Sequence, residues 1–173
     1  MSLDSYLRAA PKVELHVHLE GSISPATLLT LAARNGVRLP ADNVAGPRDW
    51  FTYRDFPHFV EIYVAITRRL KTAEDYELVA YEFGAEMARQ NVRYAEVTFT
   101  PGTHRRFGVP HEAYFGGLTR GRARARADFG VELAWIFDIV RDVDPDEQNR
   151  AYADYTLGVA VEGKGDGVVA LGL

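Results

Sequence analysis

The sequence predicts an α/β fold of the (β/α)8 TIM-barrel class with about four βα units present, which is half a barrel. Three observations point there. Strand-like runs with a period of two recur four times and alternate with segments of helical period. The runs are nearly continuous in apolar residues, as strands of a parallel sheet covered on both faces are. Gly21 stands alone in the turn after the first strand, so the glycine-rich nucleotide fingerprint of a doubly wound open sheet is missing. A complete barrel needs eight units and roughly 250 residues. The 173 residues are therefore read as one body, residues 1–173, forming the N-terminal half of a single barrel domain whose C-terminal half is absent.

Each element has its own local signal. A short helix from Leu3 to Ala10 is stopped by Pro11. From Lys12 to Leu19, Val13, Leu15, Val17 and Leu19 alternate with Glu14, His16 and His18, which predicts a strand with two unlike faces. Ser24 and Pro25 read as N-cap and first helical residue of a helix closed by Gly36. The segment from Val37 to Pro57 is irregular, after which Phe56, Phe59, Val60 and Tyr63 recur at helical spacing. Thr72 with Asp75 forms a capping-box signature for a helix running to Ala88. Val92 to Phe99 is the second strand, closed by Pro101 and Gly102. Helix-compatible sequence from Pro110 to Asp128 is interrupted by Gly116, Gly117 and Gly121. Val131 to Val140 is the third strand, Asp144 and Pro145 open a helix to about Glu162, and Gly167 to Leu173 is the fourth strand.

Composition narrows the classes of function. With 47% hydrophobic and 25% charged residues the chain is an ordinary globular one. A net charge of -4 gives no basic field for nucleic acid or an anionic membrane, so neither partner is expected. No apolar run approaches the ~20 residues of a membrane span, and the N-terminus lacks a secretory signal, so a cytoplasmic location is expected. The absence of cysteine excludes disulfides and thiolate ligands, which leaves histidine and carboxylates for any metal.

The strongest chemical pattern is Glu14-Leu15-His16-Val17-His18-Leu19-Glu20-Gly21. Residues i and i+2 of a strand project to the same side, so His16 and His18 present two imidazoles at the strand's C-terminal end. That is a two-ligand clamp for a divalent ion, at the end of the strands where barrels carry their active sites. The competing reading is two polar residues on an exposed strand face.

The wider segment PKVELHVHLEGSISPATLLTLA resembles the opening strand, loop and helix of the adenosine deaminase family of metal-dependent amidohydrolases. The similarity continues through YEFGAEMARQNVRYAEVTFTP and IFDIVRD, so it covers nearly the whole chain. The resemblance implies that His16 and His18 are zinc ligands, that His18 also lies beside the substrate, and that Glu20 stands where the family carries an acidic residue bonded to the sugar. It implies one Zn2+ per complete active site, activating water for attack on C6 of a 6-aminopurine with release of ammonia. The family's third histidine ligand, proton-shuttling glutamate, additional histidine and aspartate ligand come from later strands, so those catalytic residues are expected beyond Leu173. Glu20 replaces the commoner aspartate. Thr98 and Thr100 stand where adenosine deaminases commonly have arginine and serine, and the spacing of Pro101 and His104 with the following Arg105 is more similar to the adenine deaminase branch or other deaminase-like members.

Other residues have plainer expectations. Glu96, within an apolar strand, is expected in an ion pair or hydrogen bond inside the barrel. His104 is expected in a loop as a solvated or capping residue, and His58 and His111 on the surface. Trp50, Phe51, Tyr53, Phe56, Phe59 and Tyr63 form an aromatic cluster that reads equally as an apolar lid over a planar base and as ordinary helix packing. Arg120, Arg122, Arg124 and Arg126 spread around two helix faces and are expected to be solvated.

The functional expectation is zinc-dependent deamination of adenosine or a related 6-aminopurine nucleoside, with adenine or aminodeoxyfutalosine as the alternative substrate. A non-catalytic fragment or interaction module is the alternative from another class. Open sheet edges predict association with a complementary C-terminal half or with a second copy, besides the small-molecule substrate.

Overall fold

The computed structural model describes residues 2–37, 51–141 and 147–173. Four parallel strands lie in the order β1-β2-β3-β4: Lys12–His18 (β1), Val92–Phe99 (β2), Glu132–Asp138 (β3) and Val168–Gly172 (β4). Strand order equals chain order, the winding by which successive βα units build a barrel wall. The helices are Leu3–Ala9 (α1), Pro25–Arg34 (α2), Phe56–Thr67 (α3), Ala73–Arg89 (α4), Pro101–Arg106 (α5), His111–Phe129 (α6) and Glu147–Glu162 (α7).

Local chemistry explains most boundaries. The Ser24 side chain accepts a hydrogen bond from the Thr27 N–H, and Pro25 opens α2. Asp55 caps α3 through the His58 N–H, and Thr72 with Asp75 forms the expected capping box on α4. The Asp75 carboxylate is fully buried and also accepts from Asn35 Nδ2 at 2.9 Å and Arg34 at 3.2 Å, which ties the end of α2 to the start of α4. The signal at Asp144 and Pro145, residue Trp50 and most of the segment between Val37 and Phe51 lie outside the described residues.

Three expectations need correction. Helix α6 runs unbroken from His111 to Phe129 despite its glycines, because two of them are contact points with α4. A Cβ on Gly117 would lie 2.3 Å from the Ala73 carbonyl oxygen, and one on Gly121 2.6 Å from Ala80 Cβ. The two helices approach closely only because these side chains are missing. Secondly, the alternation in β1 is broken. The register shifts between Glu14 and Val17, so that Val13 pairs with Tyr94 whereas Val17 pairs with Val97. Val13 and Leu15 are 61% and 55% exposed, while Leu19 is buried. Thirdly, the sheet face away from the helices is covered only in part among the described residues, with Thr98 and Ala134 buried there. Ala95, Val97, Phe99, Leu133, Trp135 and Phe137 are buried under the helices, while Val169 in β4 is 56% exposed.

The arginines of α6 do separate onto two faces, and each face serves an ion pair. Arg120 and Arg124 hold Glu77 at 2.7 and 2.8 Å, and Arg122 and Arg126 hold Glu132.

Candidate active site

The C-terminal ends of β1, β2 and β3 and the inner side of α3 surround an open cleft with a cavity volume of about 600 Å³, within the usual size of small-molecule sites. His18, Tyr63, Thr100 and Asp138 supply polar groups to it, and Phe56 and Phe59 an aromatic wall. The aromatic expectation is met in part by geometry: Phe59 stands 5.9 Å from Tyr63 and 5.1 Å from Tyr53 between ring centroids. Phe56 is 73% exposed, so this stripe is not simple helix packing.

His16 and His18 end β1 with their ring centroids 6.2 Å apart, and His18 meets the edge of Tyr63 at 6.4 Å. The register irregularity between Glu14 and Val17 includes His16, and such irregularities are common beside active sites. Imidazole nitrogens suit zinc, which takes about four ligands. Among the described residues no group of three or more histidine, aspartate and glutamate side chains could hold a metal. The pair therefore fits as part of a zinc site and does not complete one.

Glu20 lies in a short 3-10 turn, Glu20–Ser22, and is fully buried. Its Oε1 accepts the Thr100 N–H at 3.2 Å and bonds His104 Nε2 at 3.0 Å, while its buried Oε2 has no hydrogen-bond partner. Burial opposes ionisation, but the His104 hydrogen bond and charge, with backbone N–H groups, hold the Glu20 carboxyl below the ordinary carboxylate range.

His104 corrects the expectation of a solvated loop histidine. Pro101 starts a helix instead of closing a loop, and α5 carries His104 into the core at 0% exposure. Its Nδ1 bonds the Tyr76 hydroxyl at 2.7 Å, and its ring stacks on Phe99 at 4.5 Å. Proline at a first helical position was the signal in the sequence. His58 and His111 remain peripheral: the His58 ring accepts from Arg54 N–H, and His111 faces Glu112 and Glu162. Glu96 is half-buried and accepts from the Tyr94 hydroxyl at 3.0 Å, an internal hydrogen bond as expected.

Asp138 was not singled out from sequence. It ends β3, and its Oδ1 accepts from the Thr100 hydroxyl at 2.7 Å. Burial raises its pKa, the Thr100 bond opposes that, and the Glu20 charge adds to it. Burial together with the charges of Glu20 and Asp138 pushes the Tyr63 hydroxyl well up, so it stays a neutral donor.

A parallel βα wall that gathers two histidines, two carboxylates and an aromatic face at the C-terminal strand ends has the construction of a TIM-barrel active-site rim. Comparison with known proteins identifies the family: residues 11–173 match the model described as adenosine deaminase, and the chain belongs to that family. It is 39% identical to the aminodeoxyfutalosine deaminase of Streptomyces avermitilis, over 99% of this chain and 47% of that protein. It is 38% identical to the adenine deaminase of Rhodospirillum rubrum, over 94% of this chain and 51% of that one. Among solved structures, the adenine deaminase from Arthrobacter aurescens superposes with a TM-score of 0.78 at 28% identity, over 94% of this chain and 48% of that one. An amidohydrolase from Burkholderia ambifaria with bound zinc gives 0.82 at 26% identity, over 99% and 46%. The chain thus spans about half the length of the relatives it matches.

Proposed function

We propose that the protein to which this chain belongs is a zinc-dependent hydrolase that deaminates a 6-aminopurine nucleoside to its 6-oxo product and ammonia. The observation that carries this reading is the His16–His18 pair at the end of β1, with His18 lining an aromatic-walled cleft, in a chain of the adenosine deaminase family. His16 and His18 would hold the zinc, which when bound makes water nucleophilic near neutral pH. The chain's own residues do the rest of what can be assigned to it. Phe59 and Tyr63 offer apolar surface to a planar base, and Tyr63 and Thr100 offer hydroxyls. The buried Glu20–His104 pair fixes the turn that follows the metal-binding strand, and Glu20 keeps its proposed part in contacting substrate through Oε2.

Adenine is the second reading for the substrate, supported by similarity to the Rhodospirillum rubrum protein named adenine deaminase. Aminodeoxyfutalosine belongs to the same second reading and is supported by similarity to the Streptomyces avermitilis protein named aminodeoxyfutalosine deaminase. Later residues complete the zinc site in this reading, and the 173-residue chain alone is expected to be inactive. Val13 and Leu15 on β1 and Val169 and Leu171 on β4 are exposed at the two outer strands. A complementary C-terminal half, or failing that a second copy, covers them in the functional protein. No described helix is long and apolar enough to cross a membrane, and we place the enzyme in the cytoplasm, in purine metabolism.

The test is ammonia release by the intact zinc-loaded protein from adenosine, aminodeoxyfutalosine and adenine. Turnover of a nucleoside with kcat/KM at least tenfold above adenine is the expected result. No release from any of the three would end the deaminase reading.

A further inference from the structure

We propose that Asp138 is a specificity-determining residue of the cleft: its carboxylate accepts a hydrogen bond from an N–H or O–H group of an aminopurine ligand and disfavours the corresponding phosphate ester. The inference rests on the deaminase reading for the identity of the ligand, and on geometry for the role of the residue.

Asp138 sits at the C-terminal end of β3 and lines the same cleft as His18, Tyr63 and Thr100. The Thr100 hydroxyl donates to Oδ1 at 2.7 Å, so the carboxylate is held in place before any ligand arrives. A pre-fixed acceptor loses little entropy on binding and therefore contributes to affinity. Thr100 also donates its backbone N–H to Glu20 at 3.2 Å, so one residue anchors two carboxylates beside the cleft.

The second, independent observation is the orphaned Oε2 of Glu20. Its residue is 0% exposed, it has no hydrogen-bond partner, and it sits next to Thr100 and Gly21, both of which line the cleft. A buried acceptor without a donor is costly, and a ligand that brings donors relieves that cost. Both carboxylates thus ask for the same chemistry: ligand groups facing them that donate hydrogen bonds and carry no negative charge.

A phosphate group brings acceptors and negative charge, which two partly desolvated carboxylates repel strongly. Among the described residues the cationic side chain lining the cleft is Arg141, which is exposed and therefore screened by solvent, and zinc held by His16 and His18 would act at C6 of the base, the end of the ligand remote from a 5′-phosphate. Asp138 is half-buried and Glu20 fully buried, and both are screened less. The balance favours a nucleoside over its monophosphate.

The experiment is equilibrium binding of adenosine and adenosine 5′-monophosphate, by calorimetry, to the intact zinc-loaded protein and to its Asp138→Asn and Thr100→Val variants. Zinc content and thermal midpoint are measured alongside. The original protein is expected to bind adenosine at least about tenfold tighter than the monophosphate. Asp138→Asn, which keeps the shape and removes the charge, is expected to weaken adenosine about tenfold and to bring the ratio to within about threefold. Thr100→Val, which frees the carboxylate without removing it, is expected to weaken adenosine while the ratio persists. Monophosphate binding as tight as adenosine, an unchanged ratio in Asp138→Asn, or no binding of either ligand would each overturn the proposal. Failure of the deaminase reading is separate: there the original protein releases no ammonia from any aminopurine, yet the binding ratio still decides the role of Asp138.

Discussion

Where α4 packs on α6, Gly117 and Gly121 leave no room for even a methyl group. At the C-terminal rim of the same sheet the structure keeps an open cleft and buries Glu20 with one oxygen unpaired. The first region gains stability from close contact between helices and the ion pairs around it. The second holds polar groups in place at a cost to stability, which is how a fold prepares a binding site. The two regions share strands β2 and β3: one face of each strand is buried under the helices, and their last residues, with Asp138 and nearby Thr100, supply the rim.

Breaking the rim is expected to have the largest effect. His104→Ala leaves the buried Glu20 carboxylate without its imidazole partner, and the loss is about 3–5 kcal/mol by denaturant unfolding of the intact protein. Glu20→Gln in the same background removes the stranded charge and is expected to recover at least about 1 kcal/mol. A loss below about 1 kcal/mol in the single variant would mean that the pair is not what holds this turn.

The packed region is sharpened by a pair of substitutions of opposite sign. Gly117→Ala forces a methyl group against the Ala73 carbonyl and is expected to cost about 2–3 kcal/mol. Gly158→Ala in α7 meets no atom within 4 Å and is expected to gain roughly 0.5–1 kcal/mol from helix propensity. The same sign for both would contradict the close-approach account.

At the cleft, His16→Ala or His18→Ala in the intact protein is expected to lower zinc affinity at least about tenfold, read by competition with a chelator, without a comparable change in unfolding free energy. Unaltered zinc affinity would remove these residues from the ligand set.

The smallest effect belongs to the surface of the packed region. Hydrogen bonds from Arg120 and Arg124 hold the Glu77 carboxyl below its ordinary pKa. With the folded value beneath the unfolded one, the stabilisation is present above the unfolded pKa and is lost as pH falls through the folded one. Glu77→Gln should cost roughly 0.5–1 kcal/mol at neutral pH and low salt, given two partly exposed pairs. The difference should shrink in acid and in high salt. A difference independent of both would show that Glu77 contributes through packing.

The sequence by itself determined what neighbours within a few positions decide. The period of each strand, the Ser24 cap and the Thr72–Asp75 box are local interactions, and they place β1 to β4 and most helix ends within a residue or two. The histidine pair was legible for the same reason, because its two members lie two residues apart on one strand. Tertiary structure decided the rest. Glu20 and His104 meet across 84 positions, Thr100 and Asp138 across 38, and Tyr76 and His104 across 28. Which of these distant polar residues face one another depends on strand register and helix placement. The register shift in β1 and the close contact at Gly117 are products of packing that no local periodicity encodes. Charges and hydroxyls gain hydrogen bonds only over about 3 Å, so partners so far apart along the chain become a site only after the sheet has set their positions.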